Sequence, residues 1–202
     1  MRIRALRPDD DRSAFRSDDD ALDRFFHRYA GQNQFRHYLG VTYVAVEGDR
    51  ILGFVTIAPR HVEIEDLPVK EQKKLPHYPI PVVGLARLAV DQSAQSTGVG
   101  GQFLRFVNLL AEKMADELGC AGVVVDAKPG AVEFYAKYGF TPFELVEGQS
   151  DARPRPTPMW LPMRAIKASR DALSESRLRR VAKGSVEAVG KLGYRRQLDI
   201  LE

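Results

Sequence analysis

Leu85-Ala86-Arg87-Leu88-Ala89-Val90-Asp91, then Gln95-Ser96-Thr97-Gly98-Val99-Gly100-Gly101, sets the architecture of this chain. A run rich in Leu, Ala and Val ends at Asp91. A short polar loop comes next, then glycines at two-residue spacing, then an amphipathic segment from Gln102 to Leu118. The order reads strand, loop, helix. Glycine lets backbone approach a ligand with no Cβ in the way. The first turn of a helix offers unpaired N–H groups and the positive end of a dipole, which suit a phosphate. A tight turn that uses glycine only for its backbone freedom fits the same spacing, so context must decide.

Two nucleotide-binding patterns fit worse. A P-loop needs Lys-Ser or Lys-Thr after its last glycine, and Gly101 is followed by Gln102. A dinucleotide fold needs its glycine fingerprint after an N-terminal strand, and this loop sits mid-chain.

The rest of the chain alternates strands and helices. Arg2 to Leu6 reads as a strand that Pro8 and three aspartates end. Ser17-Asp18-Asp19-Asp20 reads as an N-cap with an acidic first turn. Leu22, Phe25, Phe26 and Tyr29 then fall on one helical stripe, with Asp23, Arg24, Arg28 and Gln32 opposite. Thr42–Val46 and Ile51–Ile57, joined by Glu47-Gly48-Asp49-Arg50, read as a hairpin. Residues 58–81 read as a long polar loop with one short helix between Pro68 and Lys74. Val82–Val90 is apolar enough for a central strand. Phe103, Phe106 or Val107, Leu110, Met114 and Leu118 are the core stripe of the following helix, which Gly119 stops. Ala121–Val125 reads as a buried strand, Ala131–Tyr138 as a helix, and Thr157–Met163 as a last strand. This order predicts an α/β three-layer domain, a central mixed β-sheet flanked by helices. The domain is expected over 1–166, with a basic, helix-forming or flexible extension over 167–202.

Composition sets the class. Of 202 residues, 44% are apolar and 28% charged, ordinary for a soluble domain. No run approaches the ~20 apolar residues of a membrane span, and Met1-Arg2-Ile3-Arg4 starts no signal-peptide pattern. Cys120 is the sole cysteine, so no intrachain disulfide forms, which fits a cytoplasmic protein. The 36 residues from Lys167 carry nine basic and five acidic groups, +4, while the remaining 166 carry 21 and 22, −1. A nucleic-acid partner must therefore meet a local patch or the tail. His27, His37, His61 and His77 have neither a Cys partner nor an H-E-x-x-H spacing, and they read as surface residues. No G-x-S-x-G nucleophile elbow occurs.

The context resembles one family. Gln95-x-x-Gly98-x-Gly100 after a strand resembles the acetyl-CoA pyrophosphate loop of the GNAT N-acetyltransferases. Pro81-Val82-Val83-Gly84-Leu85-Ala86-Arg87-Leu88-Ala89-Val90-Asp91 is similar to the TacT-like GNAT toxins of bacterial toxin–antitoxin pairs, as is Asp20 to Gln34. The resemblance covers Met1 to Met163. It implies acetyl-CoA as cofactor, bound by main-chain groups of Leu88, Ala89 and Val90 and by the amides of Gln95, Ser96, Thr97, Gly98, Val99, Gly100 and Gly101.

Phe134-Tyr135-Ala136-Lys137-Tyr138-Gly139-Phe140 resembles the F-Y-x-x-x-G-F string of the same enzymes, whose first tyrosine protonates the leaving thiolate. Tyr135 is the catalytic candidate: a phenol with pKa ~10 is a proton donor at neutral pH. The alternative is an aromatic that packs helix on sheet. Glu133 and Asp126 lie near in sequence, and neither is assigned as a base. The resemblance implies the α-amino group of aminoacyl-tRNA as acceptor, a homodimer, and a ribbon-helix-helix antitoxin as partner. Arg87, Arg24 and Arg28 are the candidate substrate contacts, and the tail is expected to add phosphate contacts to RNA. Acetylation of a small amine or a protein N-terminus, and a non-catalytic binding module of the same fold, are the other readings.

Overall fold

The computed structural model describes residues 1–143, 155–172 and 174–175. Among them seven strands form one mixed sheet: β1 (Arg2–Ala5), β2 (Val41–Glu47), β3 (Arg50–Val62), β4 (Ile80–Val90), β5 (Gly122–Ala127), β6 (Thr141–Pro142) and β7 (Thr157–Pro162). They lie in the order β1-β2-β3-β4-β5-β7-β6. Every neighbouring pair is antiparallel except β4 and β5, which run parallel. The α-helices within residues 1–143 are α1 (Asp20–Arg24), α2 (Ala30–Phe35), α3 (Val69–Gln72), α4 (Val99–Glu117) and α5 (Val132–Lys137).

Strand alternation builds the three layers. On one face Val44, Phe54 and Ala89 join Phe15, Phe25 and Phe26 in a buried cluster. The Phe26 and Phe54 rings stack with centroids 4.3 Å apart and planes 2° apart. Such a pair adds about 1 kcal/mol beyond its burial. On the other face α4 packs against the sheet: Phe106 meets Tyr43 edge-on at 4.7 Å. A Cβ on Gly53 would lie 2.9 Å from the Phe103 ring.

Four expectations are corrected. The first is the Leu22-to-Tyr29 stripe. Residues Phe25–Tyr29 form a π turn in which Ala30 N–H donates to Phe25 O, five residues back. One extra residue in the turn rotates the positions after it. Ala30 becomes buried, and Tyr29 is left 46% exposed. The second is the helix start. Asp19 is the N-cap, accepting from Ala21 and Leu22 N–H, whereas Ser17 donates from its N–H and Oγ to Asp23. The third is the long loop, which is shorter than expected. β3 runs on to Val62, β4 begins at Ile80, and the two pair as far as Val62↔Ile80. Beyond Ile57, β3 has no β2 neighbour. Pro59 therefore sits where a missing N–H costs nothing. α3 lies inside the expected Pro68–Lys74 segment. His27, expected at the surface, is half-buried with Nε2 3.1 Å from Phe15 O.

The chain divides into units Met1–Met163 and Arg164–Glu202. In the second, 164–172 is helical. The rest of the predicted basic extension, at 173 and 176–202, lies outside the described residues. No helix among the described residues is long and apolar enough to cross a membrane.

Candidate active site

β4 and β5 begin side by side and then part. They pair at Val83↔Val123, Gly84↔Val124 and Leu85↔Val125, and no further. On its other edge β4 stays with β3 to Val90↔Gly53. Arg87 opposes Thr56 and Leu85 opposes Ile57, which leaves Ala86 as the extra residue of a bulge. A bulge bends its strand, and this one sits where the two parallel strands separate. The parted strands form a wedge, and from Ala86 to Val90 the β4 edge that faces it has no strand partner. Around the wedge is a cleft of about 910 Å³.

Three elements close the cleft. β4 contributes Leu85 to Val90, and the loop and first turn of α4 contribute Gln95, Ser96 and Gly98 to Gly101. The β5–α5 side adds Asp126, Lys128, Phe134, Tyr135 and Tyr138. The loop is held from behind by Asp91. Its carboxylate accepts from Ser93 N–H at 3.1 Å, Arg16 N–H at 3.2 Å and Arg50 Nη2 at 3.2 Å. Burial pushes this carboxyl up, but the bonds from Ser93 and Arg16 outweigh burial and hold it below its ordinary pKa. Gly98 caps α4 with φ +90°, and no side chain caps the helix. A left-handed N-cap is cheap only for glycine.

The neighbouring glycines have a second role that the spacing did not reveal. A Cβ on Gly101 would fall 2.0 Å from Tyr138 Oη, and one on Gly100 would fall 3.1 Å from the Phe134 ring. The bare first turn of α4 therefore lets the aromatic face of α5 pack directly upon it. That packing places Tyr135 in the cleft wall. Its ring meets Phe134 edge-on at 5.1 Å and Phe140 at 5.5 Å. Tyr135 is 5% exposed, and burial raises its phenol pKa well above the ordinary value. The hydroxyl keeps its proton at neutral pH, the state a proton donor requires.

Of the other expected site residues, Leu88, Ala89, Val90 and Val99 line the cleft, and so does Arg87. Arg87 is half-buried over the Phe25 ring, and burial lowers its pKa. Thr97 does not line the cleft; its hydroxyl donates to Ala94 O at 2.6 Å. Arg24 and Arg28 are exposed on the first helical segment, outside the cleft wall. Asp126 reaches the cleft with its carboxylate paired to Arg60 at 2.8 Å, and Glu133 is exposed outside it. Neither is placed as a free base. Residues that sequence reasoning passed over are Ala86, Phe134, Lys128, Ser17 and Asp19. What brings them to the cleft is long-range, as with Phe134 against Gly100 and Asp19 against Lys128.

Comparison with known proteins meets this geometry. Residues 39–142 match an acetyltransferase (GNAT) domain. The tRNA-acetylating toxin of Mycobacterium tuberculosis is 31% identical over 152 residues, which span 71% of this chain and 89% of that protein. The structure of AtaT complexed with acetyl-methionyl-tRNAfMet superposes with a TM-score of 0.72 at 26% identity, covering 83% of this chain and 97% of that one. AtaTR bound with acetyl-CoA superposes with a TM-score of 0.67 at 27% identity, covering 83% and 96%. With its parted parallel strands, glycine loop and cleft tyrosine, the chain belongs to the GNAT acetyltransferases and is a homologue of the tRNA-acetylating toxins.

Proposed function

We propose that the cleft holds acetyl-CoA and that the enzyme acetylates the α-amino group of aminoacyl-tRNA, which blocks translation. One observation supports this reading most: the unpartnered β4 edge at 86–90 leads through a short loop to the N-terminus of α4, which no side chain caps. Main-chain groups of Leu88 to Val90 suit an amide-bearing arm. Gln95 and Thr97 N–H already donate to Gln92 O and Ala94 O; the N–H groups of Ser96 and of Gly98 to Gly101, with the dipole of a 19-residue helix behind them, suit a pyrophosphate. A Cβ at Gly101 would collide with Tyr138 and one at Gly100 would press on the Phe134 ring, so α5 favours a bare first turn.

When bound, acetyl-CoA supplies a thioester acetyl whose transfer to an amine leaves a thiolate that needs a proton. Tyr135 holds that proton at Oη, and its buried ring fixes where it is presented. Both carboxylates of the described cleft wall sit in ion pairs, Asp126 with Arg60 and Asp19 with Lys128, and neither is assigned as a base. An amine with a lowered pKa suits such a site, and the α-amine of an aminoacyl ester is one. Arg87, at the bulge, is the group we assign to the acceptor, with Arg24 and Arg28 as outlying phosphate contacts. The proposed acceptor suits a cytoplasmic enzyme.

We also propose a homodimer, an antitoxin of the ribbon-helix-helix type as partner, and residues 167–202 as an extension that adds phosphate contacts. These rest on the likeness to the toxins and on the extension's +4 charge. The toxin reading is tested in cell-free translation: synthesis stops when the protein and acetyl-CoA are both added, and continues when either is left out. Uninhibited synthesis with both present would remove it.

A further inference from the structure

Ser17 and Asp19 line the cleft although they precede α1 and belong to none of its three walls. The segment they sit in is fastened first to the loop. Gln92 N–H donates to Arg16 O at 2.8 Å. Gln95 Nε2 donates to Ser17 O at 3.3 Å and to Asp18 Oδ2 at 3.1 Å, and the Gln92 side chain donates to Asp18 Oδ1. At Asp18 the backbone turns through the left-handed region, with φ +68°, a conformation Asp tolerates better than most residues. The next residue is bonded elsewhere. One Asp19 carboxylate oxygen caps α1, and the other accepts from Lys128 Nζ, in the turn that leaves β5.

Two consecutive residues thus bond to opposite sides of the wedge, Asp18 to the loop that leaves β4 and Asp19 to the turn that leaves β5. The two sides that part after Leu85 and Val125 are linked by an ion pair between two residues that line the cleft. Its side chains are partly exposed, Lys128 at 57% and Asp19 at 28%. Exposed pairs of this kind are weak and break readily.

We propose that Asp19 and Lys128 form a crossbar over the cleft, which opens to admit and release the acetyl donor and recloses over it. The inference rests on the reading of this cleft as the acetyl-CoA site. A crossbar raises the barrier to entry and to exit alike. A residue that merely touches the ligand changes exit alone.

The test measures association and dissociation rates of a fluorescently labelled CoA with the full chain, by stopped flow. Lys128→Met and Asp19→Asn are compared with the wild type. Asn at position 19 still caps α1 but carries no charge for Lys128. Each variant is expected to raise both rate constants together by about two- to five-fold, the range a partly exposed ion pair allows. Kd then stays close to the wild-type value, the double variant adds little to either single one, and Lys128→Arg behaves as wild type. Unchanged rates in both variants would overturn the crossbar. So would faster dissociation alone in Lys128→Met with Asp19→Asn unaffected, which makes Lys128 an ordinary ligand contact. A wild-type chain that binds no CoA overturns the cleft reading, and the crossbar with it.

Discussion

The guanidinium carbon of Arg87 lies 3.8 Å from the centroid of the Phe25 ring. This contact ties the bulged part of β4 to the π turn that follows α1. Without the π turn Phe25 and Phe26 would still point inward, but the residues after them would turn differently, and Ala30 would not replace Tyr29 in the core. A cation over a ring contributes about 0.5–2 kcal/mol, depending on its exposure.

Arg87 is thus held in a fixed pose beside the cleft. Arg87→Ala is expected to raise KM for the acceptor about ten-fold and leave the acetyl-CoA Kd unchanged. Phe25→Leu should shift KM in the same direction by less, since it frees the guanidinium without removing it. Arg87→Lys is not conservative here, because an ammonium neither stacks nor forks. Steady-state kinetics with each substrate varied in turn checks this; a rise confined to the acetyl-CoA constant would move Arg87 to the donor side.

Tyr135→Phe removes one hydroxyl from a packed ring. The fold and the acetyl-CoA Kd should be retained while kcat falls by about 10²-fold or more, the usual scale of a lost general acid. A loss in kcat with KM unchanged marks an interaction made only in the transition state. Wild-type turnover in the variant would return Tyr135 to a purely packing role.

Gly101→Ala places a methyl where Tyr138 Oη now sits. Either α5 moves off the first turn of α4 or the side chain swings away, at a cost of about 1–3 kcal/mol. Thermal unfolding should fall, and acetyl-CoA affinity with it, because the same turn carries the anion site. Adding Tyr138→Phe should recover part of both. A Gly101→Ala chain with unaltered Tm and Kd would mean the contact is slack.

Asp10 and Asp91 set an expectation for acid. The side-chain bond from Arg4, bidentate at 2.6 and 2.7 Å, holds Asp10 below its ordinary pKa, and Asp91 is held down likewise. Folding therefore favours their ionised forms. The stabilisation is complete above the unfolded carboxyl pKa of ~3.9 and is lost as pH falls through the lowered native values. Urea midpoints should be flat from pH 7 to 5 and fall below pH 4. Asp10→Asn should cost about 2 kcal/mol at pH 7 and show a shallower decline in acid. An equal decline in the variant would place the acid sensitivity elsewhere.

The strand–loop–helix unit was legible because each part carries a local signal: an apolar run for β4, glycines for the loop, helical spacing for α4. The three-layer fold came from alternation alone. The π turn was not legible, since Leu22, Phe25, Phe26 and Tyr29 satisfy an ordinary helix and only the tertiary fit of Ala30 favours the extra residue. The far end of β3 is not legible, because Pro59, Arg60 and His61 look like a loop, and only the loss of its β2 neighbour makes them acceptable in a strand. At the site, Tyr135 and the glycine loop came from motif resemblance. Ala86, Asp19 and Lys128 came from none, because their roles depend on where two strands part and on contacts across most of the chain.

The proposed function turns on which amine is acetylated, and that amine is assigned as the α-amino group of an amino acid esterified to tRNA. The most direct measurement incubates the protein with isotopically labelled acetyl-CoA and a pool of charged tRNAs, then digests the RNA and identifies labelled aminoacyl-adenosine by mass spectrometry. The expected product is N-acetyl-aminoacyl-adenosine from one or a few tRNA species, with none from deacylated tRNA and none from Tyr135→Phe in the same time. Labelled acetyl found only on free small amines or protein N-termini, with every charged tRNA left unmodified, would contradict the assignment.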